Sequence, residues 1–429
     1  MHLYIAGING AGMSALAEIA HQLGHQVSGS DLKHSEFMSK IQNWHPKPMI
    51  NIGQTENQIS KIHKQSPIDW YIYSSALSWV KPPNEELAWA KQYLPKVSKR
   101  DEFFNFLIKK QNLKLLAISG SHGKTTTTAM LIWASQQLNL NISYAVGGRL
   151  ADQSSAHLSS DSRWFIYEAD EFDRNFLAFK PDLSVITGVE HDHQEVYPTK
   201  ASYYQAMIDF IKQSHQVIMH YGDWQTLNQF QNLKELNHIT FIPKIINSSF
   251  RLLGEVNRLN AEVVRQTIKI WQNQTNDQEI MNILNKFPSL WRRFEQIAPS
   301  VYTDYAHNIA KIQGCLQIAS ELKKPLAIIY EPHSNVRQHH IQNQYINLFK
   351  SIDKLYWLPT YLAREDDDLP ILSPDDLTKN IKYPPKIIIS KMNEQLVQQL
   401  KKDIENRLVI VGMTAGNLDT WLRQNFRQD

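Results

Sequence analysis

A short run of glycine, lysine and hydroxyl residues lies in the first third of the chain. Directly after the apolar residues 115–118 and Ser119 come Gly120, Ser121, His122, Gly123, Lys124, Thr125 and Thr126. Two glycines let the backbone turn so that successive N–H groups point to one place, where a lysine adds charge and a threonine hydroxyl can hold Mg²⁺. The run therefore predicts a loop that binds the phosphates of a nucleoside triphosphate. The alternative is a plain turn with a solvated lysine.

Acidic side chains follow a second apolar run. Glu168, Asp170 and Glu171 come after residues 164–167. In an open α/β sheet, ligands bind at the carboxyl ends of strands, and Mg²⁺ prefers carboxylate and phosphate oxygens. A magnesium ligand beside the bound phosphates is the prediction. The segment 190–193 after the next apolar run adds two histidines, which favours contact with the same site but leaves zinc as an alternative.

The first strand of the chain also ends in glycines, Gly7, Gly10 and Gly12, and Asp31 follows about twenty residues later. Glycines at a strand-to-helix turn let a diphosphate approach the helix N-terminus, and an acidic residue at that distance can bind a ribose. The spacing fits any nucleotide diphosphate, including a UDP-sugar. A structural turn and a nicotinamide-dependent oxidoreductase are the alternatives.

Composition excludes several classes of protein. The 429 residues suggest two or three domains. A net charge of +3 is too close to zero for a nucleic-acid coat or a membrane-surface protein. The lone Cys315 excludes an intrachain disulfide. The sequence has no signal-peptide pattern and no run of about 18 apolar residues, so we expect no membrane span and a cytoplasmic protein.

The elements that position these residues alternate between strands and helices. Apolar runs typical of strands occupy 3–6, 70–73, 115–118, 164–167, 183–186, 301–303, 326–330 and 408–411. Such alternation predicts an α/β fold with mostly parallel sheets. A charged stretch near residue 100 and the end of a helical stretch near Pro288 predict three domains, 1–100, 101–288 and 289–429.

Further segments gain meaning from their order along the chain. These are 29–31, 74–76, 192–193, 257–261, 292–294, 304–307, 331–333 and 414–416. Together with the two glycine loops, they resemble the Mur ligases of peptidoglycan synthesis over nearly the whole chain, and most of all the alanine-adding branch of that family. The resemblance implies a Rossmann-like UDP-binding domain, a central P-loop-type ATPase domain, and a Rossmann-like C-terminal domain that binds the amino acid.

The resemblance also implies a reaction. The carboxylate of UDP-N-acetylmuramate attacks the γ-phosphate of ATP, with Mg²⁺ as cofactor, and the amine of L-alanine displaces phosphate from the acyl phosphate. In phosphoryl transfer, the main tasks of the protein are to position the reacting groups and to neutralise their charge. The protein is expected to be a monomer or weak homodimer with no nucleic-acid or membrane partner.

Residue roles follow from the resemblance, position by position. Lys124 would hold the γ-phosphate, Thr125 and Glu168 one Mg²⁺, and His193 a second. The nucleotide would contact Asn257, Asn260, Arg293 and Asp304. The UDP-sugar would contact Gly10, Ala11, Gly12, Met13, Ser30, Asp31 and Ser74. His333 and Arg337 would lie on the side of the incoming amine, and His307 would contact the substrate near the domain junction.

The chain departs from the family pattern at three positions, where Asn9, Gly188 and Val256 replace the usual glycine, asparagine and histidine. These departures leave open a nucleotide-sugar-binding protein without catalysis. The segment 331–335 also resembles the recycling ligases that attach an L-Ala-γ-D-Glu-meso-diaminopimelate tripeptide to the same nucleotide sugar, so the length of the amine substrate stays open.

Overall fold

The computed structural model describes residues 1–426 except 35, 42, 81, 149–153, 194–195, 234–235, 274–275, 289, 363–364, 366–367 and 383–385. The predicted domain limits 289 and 429 lie outside the described residues. The residues that are described form three mostly parallel β-sheets with helices between the strands, which confirms the predicted α/β fold.

The first sheet contains five parallel strands in the order β3-β2-β1-β4-β5. Its strands are β1 (His2–Ala6), β2 (Gln26–Asp31), β3 (Met49–Ile52), β4 (Trp70–Tyr73) and β5 (Val97–Lys99). Its helices are α1 (Ala11–Gln22), α2 (Glu36–Ile41), α3 (Glu56–Gln65), α4 (Glu85–Tyr93) and α5 (Arg100–Lys110). The strand order reverses at β1, so the loop from β1 to α1 lies where such sheets bind ligands.

The second sheet contains seven strands in the order β12-β11-β10-β6-β9-β7-β8, with only the β7–β8 pair antiparallel among those described. Its strands are β6 (Lys114–Ser119), β7 (Ile142–Ala145), β8 (Ala156–His157), β9 (Trp164–Glu168), β10 (Leu183–Ile186), β11 (Val217–His220) and β12 (Ile239–Ile242). The helices are α6 (Lys124–Gln137), α7 (Lys200–Gln213), α8 (Tyr221–Phe230), α9 (Glu255–Gln272) and α10 (Asp277–Leu284).

The third sheet contains six strands in the order β13-β14-β18-β15-β16-β17, and β13 runs antiparallel. Its strands are β13 (Glu295–Ala298), β14 (Val301–Asp304), β15 (Leu326–Glu331), β16 (Lys354–Trp357), β17 (Ile387–Ile389) and β18 (Val409–Thr414). The helices are α11 (Ile309–Ser320), α12 (Asn335–Ile341), α13 (Pro374–Thr378), α14 (Glu394–Glu405) and α15 (Leu418–Phe426).

The chain divides into two compact units. The first unit holds residues 1–250 and 259–287, with the first two sheets, and the second holds residues 251–258 and 288–429. One continuous apolar core in the first unit runs from Leu3 on β1 to Met219 on β11 and beyond, because α1 and α5 lie between the two sheets. The three-domain limits stay a prediction. Among the described helices, none is long and apolar enough to cross a bilayer.

Candidate functional site

The predicted phosphate loop connects β6 to α6, in the interior of the second sheet. Gly120 has φ 130° and Gly123 has φ 76°, both in the region that favours glycine. A Cβ on Gly120 would lie 2.8 Å from the carbonyl oxygen of Gly188, and one on Gly123 would lie 2.7 Å from Oδ1 of Asn260. Both glycines are therefore required by the conformation, which leads into the N-terminus of α6, where a phosphate is stabilised.

Lys124 is anchored across this loop. Its ammonium group donates to the carbonyl oxygen of Gly120 at 2.7 Å and to Oε1 of Glu171 at 2.8 Å. Burial alone would lower the pKa of Lys124, but Glu171 and Asp170 raise it overall. Burial would raise the pKa of Glu171, but Lys124 and His193 lower it below its usual value. Both groups are therefore ionised, and the ammonium group of Lys124 lies between Gly120 of the loop and the Glu171 carboxylate.

The predicted metal ligands Thr125 and Glu168 lie together. The Thr125 hydroxyl donates to Oε1 of Glu168 at 2.7 Å, and the Gly147 N–H donates to Oε2 of the same carboxylate at 2.7 Å. These contacts hold the Glu168 carboxylate at the carboxyl end of β9, beside the first turn of α6. A carboxylate and a hydroxyl in this position suit Mg²⁺.

The third predicted ligand, His193, belongs to a second group. Among the described residues, donor atoms of Asp170, Glu171 and His193 all lie within 4.8 Å of one another. His193 has φ 58°, and its Nε2 lies 3.5 Å from Oε1 of Glu171. Loss of hydration and the neighbouring Glu171 raise the pKa of Asp170 to about 6, which a cation between the two carboxylates would reverse.

The second histidine of the 190–193 segment does not join this group. The ring of His191 pairs through Nε2 with the carbonyl oxygen of Tyr197 at 2.7 Å. The zinc alternative therefore has a single imidazole in the group of possible ligands that the structure describes. Two carboxylates with one imidazole fit Mg²⁺ better than zinc, which favours nitrogen and sulfur ligands.

The first glycine loop is held by backbone and side-chain contacts. Gly10 precedes α1, which begins at Ala11, and Met13 is buried. The Asn9 N–H donates to Oδ2 of Asp31 at 2.9 Å, so the predicted ribose ligand also fixes the loop. Ser74 directly follows β4, and its Oγ would lie 3.7 Å from a Cβ on Gly7.

Ser30 lies in a buried network that the sequence did not reveal. Its hydroxyl donates to Glu86 at 2.7 Å, and the hydroxyls of Tyr4 and Tyr71 donate to the same carboxyl group at 2.8 and 2.9 Å. Burial raises the pKa of Glu86 to about 7, although its three hydroxyl partners oppose the rise. The Ser30 side chain thus supports the sheet beneath the loop.

A cavity of about 200 Å³ lies in the first unit between α1, α5 and the carboxyl ends of β7 and β9. It is lined by Gly12, Ala15, Arg100, Phe104, Ala145, Val146, Gly147, Tyr167, Glu168 and Asp170. It therefore connects the first glycine loop with the predicted metal ligand Glu168. Arg100 was not predicted as a site residue, because it lies in the charged stretch near residue 100 that was interpreted as the limit between two domains.

The predicted nucleotide residues are distributed over both units. Asn260, on α9, is buried beside Gly123 of the phosphate loop in the first unit. Asn257 belongs to the second unit, where its amide donates to the carbonyl oxygen of Leu253 at 2.8 Å. The guanidinium carbon of Arg293 lies 5.4 Å from the centre of the Tyr305 ring. Oδ2 of Asp304 accepts a hydrogen bond from the Phe294 N–H at 2.8 Å.

The residues predicted for the incoming amine lie together in the second unit. The rings of His307 and His333 are 5.8 Å apart, and Nη1 of Arg337 lies 3.3 Å from Nδ1 of His333. Tyr361 stacks on His333 at 5.7 Å. Burial, with the positive charges of Lys311 and Arg337, lowers the pKa of His307 to about 2, so its ring is neutral at physiological pH.

Comparisons with known proteins agree with this arrangement. Residues 2–111 match the family model described as Mur ligase family, catalytic domain, and residues 118–251 match the Mur ligase middle domain, together more than half of the chain. The UDP-N-acetylmuramate–L-alanine ligase of Wigglesworthia glossinidia brevipalpis is 27% identical over 97% of this chain and 95% of its own. The ligase of the same name from a Hydrogenobaculum strain is 28% identical over 97% and 96%.

Two solved structures share the fold. A UDP-N-acetylmuramate-alanine ligase from Thermotoga maritima superposes with a TM-score of 0.75 at 21% identity, covering 99% of this chain and 98% of its own. A murein peptide ligase from Psychrobacter arcticus gives a TM-score of 0.66 at 18% identity over 99% and 98%. Three mostly parallel β-sheets with helices between the strands, together with a glycine-lysine phosphate loop, place this protein in the class of nucleoside-triphosphate-binding α/β proteins. Within that class, this chain belongs to the Mur ligase family.

Proposed function

We propose that this protein is an ATP-dependent ligase that joins L-alanine to the carboxylate of UDP-N-acetylmuramate and releases ADP and phosphate. The names of its curated relatives, which it matches over nearly their full length, support this function. The observation that carries it is the phosphate loop in which Lys124 is held by Gly120 and Glu171 beside the carboxylates at the end of β9.

In the first step, backbone N–H groups of the loop would bind the β- and γ-phosphates, and Lys124 would move its charge from Glu171 to the γ-phosphate. Thr125 and Glu168 would hold one Mg²⁺, and Asp170, Glu171 and His193 a second. Bound Mg²⁺ neutralises the phosphate oxygens. The substrate carboxylate attacks the γ-phosphorus, the bond from this phosphorus to the bridging oxygen breaks, and ADP leaves.

In the second step, the neutral amine of L-alanine attacks the acyl phosphate carbon, the bond from this carbon to the phosphate oxygen breaks, and phosphate leaves while the nitrogen loses a proton to solvent. His307, His333 and Arg337 are the residues we propose for the amino-acid side. His307 is neutral at physiological pH because its pKa is lowered to about 2, so it does not repel an ammonium group. A guanidinium such as that of Arg337 suits the carboxylate of an amino acid. We also propose that the protein is located in the cytoplasm and is a monomer or a weak homodimer.

The test is ADP release by the purified protein with UDP-N-acetylmuramate and Mg²⁺-ATP, with products identified by mass spectrometry. Parallel reactions contain L-alanine, L-serine, glycine or the L-Ala-γ-D-Glu-meso-diaminopimelate tripeptide. Turnover with L-alanine supports the proposal, and turnover only with the tripeptide makes the protein a recycling ligase. Binding of the nucleotide sugar with no ADP release in any reaction favours the non-catalytic alternative.

A further inference from the structure

We propose that Arg100 binds the carboxylate of the nucleotide-sugar substrate in the cavity between the first glycine loop and Glu168. This inference rests on the proposed function and adds to it the group that orients the reacting carboxylate. Arg100 is the first residue of α5 and directly follows β5, so its backbone is fixed by regular structure on both sides.

The guanidinium of Arg100 is packed against the first glycine loop. A Cβ on Gly12 would lie only 1.8 Å from its Nη1, so glycine at position 12 makes the room that this side chain occupies. The side chain is 20% exposed, and its Nη2 reaches Oδ1 of Asp101 at 3.3 Å. That carboxylate oxygen already accepts a shorter hydrogen bond, 2.6 Å, from the Tyr167 hydroxyl.

The bonding capacity of Arg100 is not used up by these contacts. Its Nε is buried and has no hydrogen-bond partner among the residues that the structure describes. A guanidinium carries five donors in a fork that matches a carboxylate, and an unpaired buried donor costs stability. The side chain is therefore prepared for a further acceptor, and it lines the cavity in which one would bind.

Charge identifies the acceptor. Of the described residues that line the cavity, Arg100 is the one cation, and Glu168 and Asp170 are carboxylates. Lys124 is already paired with Glu171. A substrate carboxylate that enters this acidic space therefore needs Arg100 as its counter-charge. A volume of about 200 Å³ suits an acyl group better than a whole nucleotide sugar.

The experiment compares two ligands that differ in the carboxylate. Calorimetry measures binding of UDP-N-acetylmuramate and of UDP-N-acetylglucosamine, which has the same nucleotide but no lactyl carboxylate, to the full-length protein and to Arg100→Gln. We expect the variant to bind UDP-N-acetylmuramate about 10- to 100-fold more weakly, which is the range for a charged hydrogen bond. Its affinity for UDP-N-acetylglucosamine should change less than about threefold. The exposed Arg163→Gln is the matched control.

Each result of this comparison distinguishes between the possible roles of Arg100. Equal weakening of both ligands would mean that Arg100 binds the diphosphate, and no weakening of either would mean a structural ion pair with Asp101; both overturn the inference. Binding of neither ligand by the unaltered protein would instead refute the proposed function. If Arg100→Gln does not fold, Arg100→Lys keeps the charge but loses the fork, and it should still weaken UDP-N-acetylmuramate selectively, by about fivefold. Equal affinities in that variant and the unaltered protein would reject the inference.

Discussion

Lys124 is the residue on which the proposed chemistry depends most directly. Replacing it by methionine removes the cation that would hold the γ-phosphate and leaves Glu171, which is 0% exposed, without its main partner. We expect Lys124→Met to lose at least about 1,000-fold in turnover, in the range of charge-stabilising groups in active sites. Its affinity for UDP-N-acetylmuramate should be unchanged, because the predicted sugar-nucleotide residues lie on another loop.

The measurement is ADP release under saturating substrates, with calorimetry for nucleotide-sugar binding and circular dichroism to verify folding. The exposed Lys180→Met provides a control that removes one positive charge from the same unit. Turnover of Lys124→Met within tenfold of the unaltered protein would exclude the phosphate role assigned to this loop.

Asp304 makes the stability of the protein depend on pH. Burial raises the pKa of its carboxyl group from 3.8 to about 6, against the opposing effects of Arg293 and of the Phe294 and Ala306 N–H groups. A carboxyl group with a raised pKa favours folding in its neutral form. Its contribution to the free energy of unfolding is fully present below pH 4. This contribution is lost as the pH rises through about 6, by up to about 3 kcal/mol.

Asp304→Asn should therefore gain stability relative to the unaltered protein as the pH rises from 4 to 7, since the amide keeps the acceptor for the Phe294 N–H but never ionises. Urea unfolding at several pH values measures this difference. Asp375→Asn, at an exposed position, should show no such trend. A constant difference between Asp304→Asn and the unaltered protein across this pH range would show that Asp304 does not titrate as described.

Sequence and structure agree on individual residues where the spacing along the chain sets the contact. Lys124 and Thr125 could be predicted because the loop and the start of α6 are contiguous. The partner Glu171 was visible as part of an acidic cluster, but its pairing with Lys124 depends on two strands lying side by side. Arg100 could not be singled out, because only folding brings it against Gly12.

At the level of elements, Gly29 in the middle of β2 shows how closely the first sheet is packed around its ligand loop. A Cβ at this position would lie 2.3 Å from the carbonyl oxygen of Ile5, its register partner on β1. Backbone atoms in a sheet cannot move away without breaking the ladder. Gly29→Ala should therefore cost about 1–3 kcal/mol or more.

The urea midpoint measures this cost. Gly222→Ala is the control, because Gly222 lies on α8 with open space around it and alanine favours a helix by roughly 0.5–1 kcal/mol over glycine. A lowered midpoint for Gly29→Ala beside an equal or raised one for Gly222→Ala is the expected result. Equal midpoints in the two variants would show that the first sheet can relax around the added methyl group.

Some fully buried strands were predicted from the sequence, whereas β7 and β11, which are equally buried, were not. The apolar runs at 70–73 and 183–186 coincide with β4 and β10, in which every residue is buried. The edge strands β3 and β17 were not predicted either; they are short and partly exposed. Edge strands lack a neighbour on one side, so their position depends on pairing with the sheet as well as on their own composition.

For the whole molecule, the division into two units separates the residues proposed for the two chemical steps. The phosphate loop, the carboxylates and Arg100 belong to the first unit, and His307, His333 and Arg337 to the second. Along the chain, the phosphate loop comes before the predicted limit near Pro288 and the residues of the amine side come after it, and the three-domain limits themselves stay a prediction. Mutations of His307, His333 or Arg337 should therefore affect amide formation more than activation of the carboxylate.

His333→Ala tests this separation. The variant loses the ring that stacks on Tyr361 and contacts Arg337, so the amine should be poorly positioned, and we expect amide formation to fall about 100-fold. Acyl phosphate formation, measured by borohydride reduction of the activated carboxyl group to an alcohol in the absence of amine, should stay within about threefold, because the phosphate loop and the proposed metal ligands lie in the other unit. The exposed His340→Ala, on the helix α12 that follows His333, is the control, and Lys124→Met should lose both steps. Equal loss of both steps in His333→Ala would mean that His333 also takes part in activation, and its assignment to the amine would then fail.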